Sequence, residues 1–96
     1  MIKQTLTITN ERGIHIRPVM AINRECDKYA CRITIIRNGE KANAKAFLQM
    51  VALGIGQGDE ITVICDGADE AEAMDAIADL INSGFHEILK GGENYG

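Results

Sequence analysis

Gly13-Ile14-His15-Ile16-Arg17-Pro18 gathers into one short stretch the residue types that phosphoryl chemistry on nitrogen needs. Proline fits the first helical position, because the amide hydrogen it lacks would be unpaired there anyway. Pro18 at that position makes the residues just before it the mouth of a helix. The free N–H groups of the first turn and the positive end of the helix dipole form an anion site, and phosphate is a common guest. His15 brings a nitrogen nucleophile to that mouth. Arg17 adds a permanent charge whose planar fork suits phosphate oxygens, and Gly13 lets the chain turn sharply from strand into helix. The positive surroundings disfavour imidazolium, and an unperturbed histidine is already mostly neutral near neutral pH. The combination points to a phosphohistidine. A lone histidine near a helix start is more often a surface or capping residue, so the rest of the chain must decide.

The elements around this stretch follow from periodicity. Ile2 to Thr9 roughly alternates, with Ile2, Leu6 and Ile8 on one face and Lys3, Thr5 and Thr7 on the other, which reads as a strand with one buried face. Gln4 breaks the apolar row, as near an exposed edge, and Asn10 to Gly13 is a turn. Pro18 to about Lys28 reads as a helix that turns Val19, Ile22, Cys26 and Tyr29 toward the sheet. Met20, Arg24 and Asp27 form another stripe leading away from His15. Ile33 to Ile36 is a second strand. Asn38-Gly39 marks a two-residue hairpin, whose central positions both need positive φ, and Glu40 to Asn43 returns.

Phe47 to Leu53 reads as a short helix closed by Gly54, with too many apolar side chains for one buried stripe, so some of them face outward as a partner surface. After the loop from Gly56 to Gly58, Ile61, Val63 and Cys65 point inward from a last strand. Asp69 is placed as the N-cap of the last helix, with Glu72 completing a capping box. Ala73, Ala76, Ile77, Leu80 and Ile81 line that helix's core face, and Gly84 ends it with Phe85 folded back. The order β-α-β-β-α-β-α predicts an α+β fold, a four-stranded antiparallel sheet with three helices on one face. One domain is expected over residues 1–85, and residues 86–96 are expected to form a flexible tail in which His86 is solvated.

Composition narrows the function. A chain of 96 residues has room for one small core, and 46% apolar with 25% charged residues is ordinary for a globular protein. The net charge of −4 argues against nonspecific nucleic-acid binding. Neither a membrane-spanning run nor a signal-peptide pattern is present, which gives a cytoplasmic expectation with no membrane insertion. Cys26, Cys31 and Cys65 are odd in number and read as apolar core residues. Cys26, Cys31 and His86 match no standard zinc spacing, so no metal site is expected. An enzyme using His15 as a general base would need a paired carboxylate or enclosed pocket that the sequence does not signal.

Gly-Ile-His-Ile-Arg-Pro at residues 13–18 resembles the active-site segment of the histidine-containing phosphocarriers (HPr family) of the bacterial phosphotransferase system. The resemblance runs from about Lys3 to Phe85, with gapless placement of glycines and apolar positions. It implies the HPr-like open-faced β-sandwich and a carrier, not an independent catalyst. Phosphorylated enzyme I, charged by phosphoenolpyruvate, gives its phosphoryl group to Nδ1 of His15, and a IIA protein or domain receives it; no cofactor is involved. By position, Arg17 contacts the phosphate, and the backbone N–H groups of Ile16 and Arg17 meet it. The partner surface maps to Ile16, Met20, Arg24, Lys45, Phe47, Leu48 and Val51, with the carrier expected to be a monomer.

Three departures from the family pattern stand out. Ala46 occupies the position of a serine that a regulatory kinase phosphorylates in many members, so that control is expected to be absent and a helix cap lost. Asp27 and Gln49 stand where many sugar-system members are basic, and Phe47 to Met50 is unlike the usual sugar-system segment. Ile8-Thr9-Asn10 and Ile81-Asn82-Ser83-Gly84-Phe85 look more like the nitrogen-related (NPr) branch, whose terminal acceptor regulates rather than transports. The alternative function is a regulatory module whose binding to partner proteins depends on the phosphorylation state of His15.

Overall fold

The computed structural model describes residues 1–9 and 16–83, the side chains of Ile16 and Arg17 excepted. The order is β1 (Ile2–Thr7), α1 (Ile16–Asp27), β2 (Arg32–Arg37), β3 (Glu40–Asn43), α2 (Phe47–Ala52), β4 (Glu60–Asp66) and α3 (Glu70–Asn82). The strands form one sheet in the order β1-β4-β2-β3, with every neighbouring pair antiparallel. The expected architecture is present: α3 packs on β1 and β4, α2 on β3, and α1 against both other helices.

Period-two patterning puts the core on one side of this sheet. Leu6 lies opposite Ile61, Ile33 opposite Cys65, and Ile35 between Val63 and Ala42. All seven are buried, together with Val19, Ile22 and Cys26 of α1 and Ala73, Ile77 and Ile81 of α3. The opposite face carries exposed Lys3, Thr5 and Thr7 and half-buried Thr34, Ile36, Thr62 and Ile64. On α3, Met74 is buried as well, whereas Ala76 and Leu80 are only half-buried. The buried stripe is therefore rotated about the helix axis, toward Met74 and away from Ala76 and Leu80.

Two turns follow from residue type. Asn38 and Gly39 have φ of 49° and 82°, the two positive values of a type I′ hairpin. At Gly67, with φ 155°, an added Cβ would lie 2.7 Å from Cys31 Cα, so the β4–α3 turn needs a bare backbone to pass the start of β2.

The Asp69–Glu72 capping box does not form. Asp69 occupies the N-cap position of α3, but its side chain makes no cap hydrogen bond. Instead its carboxylate accepts hydrogen bonds from the Ala30 amide at 2.8 Å and the Cys31 amide at 2.9 Å, on the loop leaving α1. These two donors have no ladder partner of their own, and a carboxylate shared between them satisfies both. Glu70, not Glu72, reaches back, accepting from the Gly67 amide at 3.1 Å. The proposed end of α3 at Gly84 and Phe85 and the tail at 86–96 lie outside the described residues; among those described, Ser83 is the C-cap.

The Ala30 amide, with the Cys31 amide helping, holds the Asp69 carboxyl below its ordinary range. The Gly56 amide, then Arg37, does the same for Asp59. A carboxyl with a lowered folded-state pKa contributes stability above its unfolded value and loses that contribution as pH falls through the folded value. The urea midpoint should therefore decline from about pH 4 downward. Asp69→Asn and Asp59→Asn should each lower the neutral-pH midpoint and flatten the acid decline. Parallel curves for wild type and both variants would remove these carboxylates from the acid response.

Candidate functional site

Helix α1 begins at Ile16, directly after His15 in the chain, so Pro18 is its third residue and not its first. The position is still permissible, because amides of the first turn have no acceptor within the helix and the one proline lacks is not missed. The shift leaves Ile16 and Arg17 as the amide-bearing residues of the helix mouth. His15, the turn from Asn10 to Gly13 and the Arg17 side chain lie outside the described residues.

What the structure shows is how that mouth is held. Pro18, Val19, Ile22 and Cys26 are buried, which seats α1 against the core along its length. Asn23 Nδ2 donates to the Ala44 carbonyl at 3.3 Å, tying mid-helix to the turn before α2. At the far end, Lys45 Nζ donates to the Tyr29 carbonyl at 2.6 Å, while Asp69 holds the next two amides.

A second clasp fixes the chain leading into the site. Arg37 Nε donates to Asp59 Oδ2 at 2.9 Å, and its Nη1 donates to the Leu53 carbonyl at 3.0 Å. The same Asp59 oxygen accepts from the Gly56 amide at 2.8 Å. The Asp59 carbonyl accepts from Ile8 N at 2.9 Å, and Gly58 N donates to Ile8 O at 2.8 Å. One guanidinium thus locks the loop after α2 to the chain just past β1. Neither clasp has a local sequence signature, because the partners are far apart in the chain.

Of the expected partner surface, four residues are exposed on two helices that touch: Met20 and Arg24 on α1, Leu48 and Val51 on α2. Met20 is 40% exposed, Val51 45% and Leu48 79%, large values for apolar side chains. Phe47 is half-buried and packs against the core. Lys45 is half-buried with its ammonium at the C-terminal end of α1. Gly54 takes φ 62°, and the Leu53 and Gly54 amides donate to the Met50 and Val51 carbonyls, closing α2 beside buried Met50 and Leu53.

The three cysteines are buried and unbridged. Burial pushes the Cys26 thiol up to about 12 and the Cys65 thiol up to about 11, which keeps both neutral and unreactive. Among the described residues, no group of three or more His, Cys, Asp or Glu is placed to hold a metal ion. No described helix is long and apolar enough to cross a membrane.

Comparison with known proteins converges on one family. Residues 2–83 match the family model PTS-HPr, the PTS HPr component phosphorylation site. The phosphocarrier protein HPr of Neisseria meningitidis serogroup A is 34% identical over 87 residues, covering 91% of this chain and 98% of that protein. The crystal structure of HPr-C-His from Thermoanaerobacter tengcongensis superimposes with a TM-score of 0.87 at 34% identity, covering 90% of this chain and 97% of that one. A crystal structure of an HPr dimer from the same bacterium gives 0.72 at 34% identity, with 88% and 98% covered.

Ala46 sits at the N-cap of α2 with φ −103° and ψ 102°, the extended geometry a capping residue takes, and provides no side-chain bond. Gln49 Oε1 accepts from the Asn43 amide and Asn43 Oδ1 from the Lys45 amide, so neighbouring polar groups order the approach without replacing the cap. Ala46→Ser should therefore raise unfolding free energy by about 0.5–2 kcal/mol, read from urea denaturation. No gain would mean that the first-turn amides of α2 are satisfied by water at no cost.

Proposed function

The chain belongs to the HPr family of the phosphotransferase system, and we propose that it carries a phosphoryl group on His15 between enzyme I and a IIA protein or domain. The observation that carries the reading is the start of α1: His15 is the residue before a helix whose first-turn amides belong to Ile16 and Arg17 and whose body is seated on the core. Neutral Nδ1 attacks phosphorus, and a P–N bond forms as the donor's bond to phosphorus breaks. The Ile16 and Arg17 amides and the Arg17 guanidinium face the transferred oxygens, stabilising charge that water alone would otherwise solvate. Transfer onward reverses these steps on the acceptor. The phosphoryl group comes from phosphoenolpyruvate through enzyme I; the protein needs no cofactor and is a relay intermediate rather than a catalyst.

Partners dock on the exposed face of Met20, Arg24, Leu48 and Val51, joined by Phe47 and Lys45 at its margin. Apolar contacts of this kind desolvate the transfer site when a partner covers it. The carrier acts in the cytoplasm as a monomer. Ile8-Thr9-Asn10 and Ile81-Asn82-Ser83-Gly84-Phe85 resemble the nitrogen-related branch, and the relay serves sugar uptake or nitrogen-related regulation. The exposure of Leu48 also favours a second reading, in which the phosphorylated and free forms hold different regulators.

Intact-mass analysis after mixing with phosphoenolpyruvate and enzyme I, from the sugar and nitrogen branches separately, tests the relay. An acid-labile gain of one phosphoryl group is expected, absent in His15→Ala; a gain retained in that variant would move the site. Arg17→Ala should accept the group more slowly. Leu48→Glu should slow transfer roughly tenfold below saturation while leaving the fold intact, as loss of an interface anchor does. Undiminished transfer in Leu48→Glu would place docking elsewhere.

A further inference from the structure

At the end of the molecule away from the start of α1, a groove of about 450 Å³ opens beside β2 and β3. It begins at Ala30 and Cys31, just past the C-terminal end of α1, so the length of that helix, roughly 18 Å, separates it from Ile16. Its lining includes three cations, Arg32, Lys41 and Lys45, and no carboxylate, in a chain of net charge −4.

Strand register explains the convergence independently of the cavity. Arg32 and Thr34 are two apart on β2, on the face away from the helices, and Asn43 lies directly opposite Thr34 on β3. Lys41, two residues before Asn43, shares that face. Same-face neighbours along a strand stand about 7 Å apart and adjacent strands about 4.8 Å apart. Lys41 lies opposite Ile36, so Arg32 and Lys41 stand about 14 Å apart at the backbone with Thr34 and Asn43 between them, and a ligand meets both cations through their long side chains.

The Lys45 ammonium is held by the Tyr29 carbonyl, which leaves the other two cations for a ligand. Among the described residues, neither Arg32 nor Lys41 makes an ion pair, although Asp66 stands opposite Arg32 on β4. Asn43 and Gln49 use their side-chain oxygens to order the β3–α2 turn, which leaves their amide nitrogens as donors. The Ala30 and Cys31 amides at the rim are already held by Asp69, so recognition falls to side chains.

We infer that this groove binds a small polyanion, a phosphorylated or polycarboxylate metabolite, across Arg32, Thr34, Lys41 and Asn43. The volume is in the range of small-molecule sites. A forked guanidinium on one side and a mobile ammonium on the other suit oxygens spread over two charged groups better than a single ion. The site is distinct from the His15 mouth and does not depend on the relay being active.

Amide-resolved NMR titration with pyrophosphate and with citrate, at matched ionic strength, tests it. Saturable shifts at the Arg32, Thr34, Lys41 and Asn43 amides are expected, and the tighter of the two anions identifies phosphate or carboxylate as the preferred group. Arg32→Gln with Lys41→Gln should weaken binding by about tenfold or more, since hydrogen bonds to charged groups are among the stronger ones. The spectrum of that variant away from the groove should be unchanged, as should phosphoryl acceptance by His15. Shifts confined to Ile16 and Arg17, no saturation with either anion, or undiminished affinity in the double variant would each overturn the inference.

Discussion

The contact between Arg37 and Asp59 is the constraint that holds the exit from β1, the loop after α2 and the entry to β4 together. A single ion pair at a partly exposed position contributes little by itself. This one is different in kind, because each partner also holds backbone: Arg37 takes the Leu53 carbonyl, and Asp59 takes the Gly56 amide through its side chain and Ile8 N through its carbonyl. Four segments meet there, the end of β2, the loop after α2, the entry to β4 and the exit from β1. The chain that leaves Ile8 goes on to His15. The clasp therefore fixes the point from which that segment departs relative to the end of α2.

The second constraint is that the sheet buries only one face. With all three helices on that side, each must present a stripe to the same apolar layer, and α1 gives Val19, Ile22 and Cys26 to it. A helix so anchored cannot slide, so its N-terminal amides keep a fixed direction without a dedicated brace. The cost is that α2, only six residues long, cannot bury all its apolar side chains. Leu48 and Val51 remain in water beside α1. An exposed apolar edge is unfavourable in isolation and is the kind of surface that a partner covers.

Much of this was legible in the sequence because the signals were local. Alternation in Ile33 to Ile36 and Ile61 to Cys65, the Asn38-Gly39 pair and Gly54 after Leu53 each encode a conformation within a few residues, and each appears where the pattern puts it. Asp69 shows where local reading fails. Its type and position match an N-cap, but two unpartnered amides at Ala30 and Cys31 compete for the same carboxylate, and the tertiary donors win. Gly67 is part of the same event, since only a bare backbone lets the turn pass close to Cys31. The helix that Pro18 signals starts two residues earlier, at Ile16, because proline is compatible with any position of the first turn and marks a helix start without defining its first residue. At the candidate site, the exposure of Leu48 and Val51 could be read from crowding on a short helix. The ties made by Asn23 and Arg37 could not, because hydrogen bonds between distant segments leave no periodicity.

A carrier has to bind its cargo well enough to keep it and loosely enough to give it up. In the proposed relay, backbone amides and one arginine at a helix start meet that requirement better than an enclosed pocket, because they orient oxygens while leaving phosphorus open to the next nucleophile. Enclosure is then left to each proposed partner in turn, through the apolar surface of α1 and α2. The same reasoning explains why rigidity lies in the scaffold and not in the contacts with the ligand. Buried α1, the Arg37–Asp59 clasp and the Asp69 bridge hold the backbone still, so that recognition needs few groups and release has few bonds to break.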